Sequence, residues 1–160
     1  MLAVQVICVG KLKESFYIDA VKEYVKRLGP YCALTVDELP EERLPADPSA
    51  GEIRSALKKE AVRIRSRIPS GAAVIALCVE GDMLSSPALA ERISRYAGGG
   101  ISRLCFLIGG SYGLDGDLKR SADLRLSLSA LTFPHHLARV VLVEQLYRAF
   151  QISAGTRYHK

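Results

Sequence analysis

Clustered cysteines are absent from this 160-residue sequence. The four cysteines, Cys8, Cys32, Cys78 and Cys105, form no C-x-x-C pair, and three of them lie inside apolar runs. Cysteine in such a run behaves as a small hydrophobic residue. A zinc site needs clustered ligands, so this spacing argues against one and we expect no metal. Reduced core thiols are typical of a cytoplasmic protein.

Long apolar runs are also lacking. The N-terminal segment 1–14 contains an apolar stretch, but no positive region precedes it and no small-residue cleavage site follows. These features favour a first strand over a signal peptide. No run approaches the roughly 20 apolar residues that a membrane helix needs. We therefore expect a cytoplasmic protein with no membrane partner.

The composition is that of a globular chain. Hydrophobic residues make up 49% and charged residues 24% of the sequence, which are ordinary values for a folded protein. The length predicts a single domain over residues 1–160. The net charge of +5 favours an acidic partner such as nucleic acid, although many basic proteins have none. The basic segment 52–68 fits an RNA-facing stripe or a solvated helix face.

Strand and helix patterns alternate along the chain. Glu80-Gly81-Asp82 reads as a turn, and the proline-containing segment 41–51 as a mobile surface loop. The alternation predicts an α/β fold with a mostly parallel sheet flanked by helices. Apolar or alternating runs predict strands at 2–9, 32–39, 72–79, 104–108 and 124–128, and helical spacing predicts helices at 15–28, 52–68, 86–97, 117–122 and 136–154.

Three segments follow strands at the carboxyl edge of the predicted sheet, where ligands bind in open α/β folds. They are 77–81, the glycine loop 108–113, and 128–135. The glycine loop either approaches a ligand closely or is only a tight connection. The apolar segment 128–134 either covers an adenine ring or forms a buried strand–helix junction. Neither G-x-G-x-x-G nor a P-loop is present, which disfavours a nicotinamide or nucleotide enzyme.

The last helix and the tail carry further candidate residues. His135 and His136 open the helix, where the helix dipole favours neutral histidine; ligand contact, capping and simple exposure all remain open. Arg139 and Glu144 are compatible with an ion pair. Apolar residues cover more than one stripe, so the helix is deeply buried or meets another chain. The tail 155–160 suits RNA or is solvated.

Several short motifs, taken in order and spacing, resemble one known family over essentially the full chain. This is the SPOUT-class ribosomal large subunit methyltransferase H family, which methylates N3 of a pseudouridine in 23S ribosomal RNA. The motifs are Val9-Gly10-Lys11-Leu12-Lys13, Glu23-Tyr24, Arg27-Leu28, Leu107-Ile108-Gly109-Gly110, Gly113-Leu114, Leu126-Ser127-Leu128-Ser129, Thr132-Phe133-Pro134-His135, Arg139-Val140, Glu144-Gln145-Leu146-Tyr147-Arg148-Ala149 and Tyr158-His159-Lys160.

The resemblance implies properties that the spacing alone does not give. It implies a deep trefoil knot near the C-terminus, S-adenosylmethionine as cofactor, and a homodimer whose site is shared between subunits. It implies that Tyr158 and His159 lie near the cofactor of the partner subunit. The cofactor-binding residues that it implies by position are Leu77, Gly109, Leu128, Ser129, Ala130, Leu131, Thr132 and Phe133.

Three side chains are the candidate catalytic residues. His159 is the candidate base or base-orienting group, Arg139 the candidate for charge stabilisation, and Tyr158 the candidate for stacking on or hydrogen-bonding the target base. A sulfonium methyl group is already electrophilic, so no metal is needed. Because the chain is small, we expect it to recognise 23S ribosomal RNA within an assembled particle. The main alternative is a non-enzymatic ribosome-binding protein, which would not explain the three strand-end segments.

Overall fold

The computed structural model describes all 160 residues. All five strands pair in parallel, in the order β2-β1-β4-β3-β5. The predicted α/β fold with a parallel sheet flanked by helices is therefore confirmed. Along the chain the elements are β1 (Ala3–Val9), α1 (Ser15–Leu28), β2 (Ala33–Leu39), α2 (Ala50–Arg67), β3 (Ala73–Met83), α3 (Ser86–Gly98), β4 (Arg103–Ile108), α4 (Gly116–Ser121), β5 (Leu124–Ser127) and α5 (His135–Ser153).

Helices cover both faces of the sheet, because successive strand side chains point to opposite faces. Val6 and Cys8 of β1 pack in a cluster with residues of α3 and α5, whereas Ile7 and Val9 pack with residues of α2 and α4. A smaller cluster joins Val21 of α1 to α5. The sheet is thus buried on both sides, which explains why its strands read as continuous apolar runs.

Capping residues set the starts of two long helices. Ser49 accepts a hydrogen bond from the Glu52 N–H at 3.1 Å, and the Ser49 N–H donates to the Glu52 carboxylate at 3.1 Å, a capping box that starts α2. Ser85 accepts from the Ala88 N–H at 3.2 Å at the start of α3. None of the helices is both long and apolar enough to cross a membrane.

The predicted turn at residues 80–82 is wrong. The third strand continues to Met83, and its pairing with β5 shifts register between Leu77 and Asp82. A Cβ on Gly81 would lie 2.7 Å from the backbone carbon of Arg125. The chain therefore runs directly against β5 at Gly81, and only glycine allows that approach.

Candidate ligand site at the carboxyl edge of the sheet

The carboxyl ends of β3, β4 and β5 enclose a cavity of about 340 Å³, here called the strand-end cavity. Its walls come from the three segments that the sequence singled out and from the start of α5, with further contacts from Leu126 and Ser127 of β5, from Leu114 just before α4 and from Lys119 of α4. Hydrophobic residues make up 11 of the 18 that line it. Its size and apolar character are those of a small-molecule site.

Six of the eight residues predicted to bind the cofactor line this cavity. The side chains of Ala130 and Thr132 are exposed and lie outside its walls. Residues about 50 positions apart in sequence are thus brought together because parallel strands end at the same edge of the sheet. The six lining residues are Leu77, Gly109, Leu128, Ser129, Leu131 and Phe133.

The backbone between Ser129 and Phe133 keeps most of its hydrogen-bonding groups free. Leu131 is the only residue of this segment whose N–H donates within the chain, to Ser129 Oγ at 2.9 Å. Ser127 Oγ donates to the Ser129 carbonyl at 3.0 Å. These two bonds shape the segment and leave other amides beside an apolar cavity. Leu131 itself is 73% exposed at the mouth.

The glycine loop is both a tight connection and a wall of the cavity. The Gly113 N–H donates to the Gly110 carbonyl at 3.0 Å, and Gly113 has a φ of +80°. A Cβ on Gly109 would overlap the backbone of Gly113, although Gly109 also lines the cavity. Any side chain at Gly109 would therefore open the loop and change the cavity wall.

Glu41, which the sequence interpretation left in a surface loop, holds the glycine loop. Its carboxylate accepts the Ser111 N–H at 3.0 Å, and a Cβ on Gly110 would lie 2.5 Å from Glu41 Oε1. The loop that carries Glu41 is itself anchored to α2, because the Glu42 N–H donates to Glu60 at 2.8 Å. The only sequence signal was an acidic residue two positions after the end of β2, at the carboxyl edge.

His135 stands at the inner end of the strand-end cavity. Its Nδ1 is buried and has no hydrogen-bond partner, and a Cβ on Gly10 would lie 3.4 Å from its Cε1. Burial, and then the neighbouring His136, lower the pKa of His135 below its ordinary value. A neutral imidazole was expected here from the helix dipole, and in the structure burial and His136 favour the same neutral form.

Arg139 is fully buried and lies outside the strand-end cavity. It donates to the Glu38 carboxylate at 2.6 Å and to the Gly10 carbonyl at 3.1 Å, and its Nε has no partner. The ion pair with Glu144 that the sequence allowed is wrong. Positions five apart face directions about 140° apart around a helix, and Glu144 pairs with Arg148 instead.

The tail folds back on α5 of its own chain. Tyr158 donates from its hydroxyl to Glu144 at 3.2 Å, and the Arg148 guanidinium lies 4.9 Å from the Tyr158 ring centre. His159 Nδ1 lies 3.3 Å from Arg148. Burial, and then Glu144, raise the pKa of Tyr158. Arg148 is about 20 Å along the helix from His135, so neither tail residue lines the cavity of its own chain.

A doubly covered parallel sheet with an apolar cavity at its carboxyl edge defines an α/β protein with a small-molecule site. The family model described as "Predicted SPOUT methyltransferase" matches residues 2–159. The chain belongs to this family of SPOUT methyltransferases.

Individual relatives agree with that assignment, and a solved structure shares the fold. The chain is 46% identical over 159 residues to "Ribosomal RNA large subunit methyltransferase H" from Streptococcus suis, covering 99% of this chain and 100% of the relative. It is 44% identical over 157 residues to the protein of the same name from Listeria monocytogenes, covering 98% and 99%. A probable methylase family protein from Haemophilus influenzae Rd KW20 shares the fold at a TM-score of 0.56 and 16% identity, covering 100% of this chain and 72% of that one.

Proposed function

We propose that this protein is an S-adenosylmethionine-dependent methyltransferase that methylates N3 of a pseudouridine in 23S ribosomal RNA, within an assembled ribosomal particle. The observation that carries the proposal is the convergence of three strand-end segments on one apolar cavity, in a chain of the SPOUT methyltransferase family. A protein that only binds ribosomes would need no such cavity. The names of the relatives supply the ribosomal RNA substrate class.

The strand-end cavity fits the cofactor. Leu77, Leu128 and Phe133 offer apolar surface for an adenine ring, and the free amides between Ser129 and Phe133 offer hydrogen bonds to the ring edge. When bound, S-adenosylmethionine supplies an electrophilic methyl group. The residues of this chain bind and orient it, and such alignment can lower a barrier by roughly 7–11 kcal/mol.

The acceptor nitrogen must lose its imide proton as the new nitrogen–carbon bond forms and the sulfur–carbon bond breaks. His159 is the proposed base or base-orienting group, and Tyr158 is proposed to stack on or hydrogen-bond the target base. In the structure both lie on the α5 surface of their own chain. The proposal therefore includes a homodimer, in which the tail of one subunit completes the cavity of its partner.

Arg139 is proposed to support the anionic base as it forms, and its contacts in the structure make that role indirect. Its guanidinium is committed to Glu38 and Gly10, which holds the start of α5, and so His135, against the ends of β1 and β2. Arg139 acts in this proposal as a positioning residue for the inner end of the cavity.

The path of the chain supports two further proposals about the fold. The glycine loop leads β4 to α4 on one face of the sheet, and segment 128–134 leads β5 to α5 on the other. These two connections meet at the strand-end cavity, as expected where a chain threads through its own loop. We infer a trefoil knot over this region and one domain spanning residues 1–160. The cytoplasmic location stays a separate proposal, which follows from the ribosomal RNA substrate.

The decisive experiment is methyl transfer from labelled cofactor to ribosomal particles that lack the modification, with the product mapped by mass spectrometry of the RNA. We expect one methylated pseudouridine on assembled particles and little on a short naked hairpin. His159→Ala and Tyr158→Phe should slow transfer and leave cofactor affinity nearly intact. Tight binding of particles without any methyl transfer would instead support the non-enzymatic ribosome-binding alternative.

A further inference from the structure

A second cleft, of about 830 Å³, lies beside the strand-end cavity at the ends of β1 and β2. We call it the β1–β2 cleft. His135 belongs to the walls of both, so the two spaces adjoin at this side chain. The other lining residues are Gly10, Lys11, Lys13, Glu14, Glu38, Leu39, Pro40, Glu41, Ser111 and His136.

Several polar groups in this cleft have bonding capacity that the fold does not use. Lys11 and Lys13 are exposed and form no hydrogen bond or ion pair within the chain. Glu41 uses Oε1 for the Ser111 N–H, which leaves Oε2 free. His135 Nδ1 is buried without a partner. The cleft thus offers both donors and acceptors.

Two aromatic side chains of α1 are linked by ring contacts to His136 of the cleft wall. Phe16, two residues beyond Glu14 of the cleft wall, is 64% exposed. Its ring centre is 4.4 Å from that of Tyr17, which in turn is 6.1 Å from that of His136. Phe16 packs into none of the three core clusters, so packing within the chain leaves most of its ring facing solvent.

The mixture of charges selects among ligands. Glu14 and Glu41 would repel a bare phosphate held deep in the cleft. A uracil-type base carries both N–H donors and carbonyl acceptors, so it matches carboxylates and lysines together. Exposed lysines suit backbone phosphates, and an exposed aromatic ring suits a neighbouring base.

We propose that the β1–β2 cleft receives the target nucleotide, with its uracil-type base against His135, backbone phosphate near Lys11 and Lys13, and an adjacent base on Phe16. The inference rests on the proposed function and adds the location of its RNA subsite. Because His135 lines both spaces, a base in the cleft lies next to the strand-end cavity.

Nuclear magnetic resonance of the labelled protein gives a direct test, with pseudouridine 5′-monophosphate as the probe. We expect saturable shifts at residues 10–17, 41, 111 and 135–136. Inorganic phosphate at the same concentration should shift Lys11 and Lys13 only. Shifts confined to other surfaces, or none at millimolar probe, would overturn the proposal.

Two variants test the same subsite during turnover. Phe16→Ala and Lys13→Ala should each raise the KM for ribosomal particles, by roughly tenfold for the stacking residue, with unchanged kcat and unchanged cofactor affinity. Val62→Ala on α2 and Lys22→Ala on α1 are matched controls, since Val62 is also exposed and Lys22 is an exposed lysine outside the walls of the cleft. Both controls should keep the wild-type KM.

The outcomes separate this inference from the proposed function. If the wild type neither binds cofactor nor methylates particles, the proposed function fails. If it does both and the Phe16 and Lys13 variants match it, only the subsite is wrong. A change of oligomeric state in Phe16→Ala, measured by analytical ultracentrifugation, would also overturn the subsite, because the ring would then belong to a subunit interface.

Discussion

At the scale of single residues, the buried Arg139 ties the start of α5 to the ends of two strands. Its guanidinium joins α5 to Glu38 at the end of β2 and to Gly10 at the end of β1. Arg139 and Glu38 are 101 residues apart in the sequence, so no local sequence pattern could pair them. The sequence pointed instead to Glu144, which is near in the chain and on another side of the helix.

Removing the Arg139 side chain should destabilise the fold strongly. Arg139→Ala would leave Glu38 without its charged partner and open a buried space, so we expect the free energy of unfolding to fall by about 3 kcal/mol or more. The matched control is Arg95→Ala, whose pair with Glu91 is exposed and should contribute well under about 1 kcal/mol. Urea titrations measure the free energy of unfolding of both variants. Equally small losses of stability in Arg139→Ala and Arg95→Ala would contradict a structural role for Arg139.

The buried thiols predict a loss of stability in alkali. Burial raises the pKa of Cys8 and of Cys105 from 9.0 to about 12. Between these values the unfolded chain releases thiol protons that the folded chain keeps, so stability is fully present below pH 9 and falls as the pH rises. Each thiol can contribute a slope of up to about 1.4 kcal/mol per pH unit.

Urea unfolding at pH 8, 9 and 10 under reducing conditions measures this slope. The Cys105→Ala variant should show a shallower decline than the wild type, because one titrating group has been removed. Lysine and tyrosine titrations are common to both proteins and cancel in the comparison. Parallel declines for the two proteins would show that Cys105 does not titrate differently on folding.

At the scale of elements, helices and strands were predicted well where their signals are local. The apolar period and the Pro and Gly stops predicted α1 to its exact bounds, and the other helix bounds to within two residues. The extension of β3 to Met83 was missed, because it depends on the backbone of β5 lying against Gly81. The contact between Glu41 and the glycine loop was also missed, because Glu41 and Ser111 are 70 residues apart in the sequence.

The loop after β2 should control the affinity of the strand-end cavity for the proposed cofactor. Glu41→Ala removes the acceptor for the Ser111 N–H, so the glycine loop loses this hydrogen bond to the loop after β2. A lost hydrogen bond costs about 1 kcal/mol, and we therefore expect cofactor affinity to fall severalfold. Glu41→Gln keeps an acceptor and should retain most of the affinity. Arg43→Ala, an exposed change in the same loop, is the control. Unchanged affinity in Glu41→Ala would refute this role of the hydrogen bond.

At the scale of the whole molecule, the sequence indicated which segments share the carboxyl edge, because parallel strands place their ends together. It did not indicate that the tail lies against α5 of its own chain, about 20 Å along the helix from His135. The knot and the dimer are proposals drawn from resemblance and from this separation. Symmetry would let each tail reach the partner's cavity.

Subunit complementation tests that arrangement. Gly109→Ala disables the cavity, and deletion of residues 157–160 removes the tail, so each protein alone should be inactive. When the two are refolded together, random pairing should restore roughly a quarter of wild-type activity, since half the dimers contain one intact site of two. No recovery, in mixtures shown to contain mixed dimers, would place the tail and cavity of one chain in the same site.

The central claim is that the strand-end cavity holds S-adenosylmethionine, and calorimetric titration of the folded protein with this cofactor tests it most directly. The account predicts saturable binding by the wild type and loss of binding in Gly109→Ala, whose new Cβ would overlap Gly113, with circular dichroism unchanged. A folded wild type that releases no heat, or a Gly109→Ala variant that binds as the wild type does, would contradict it.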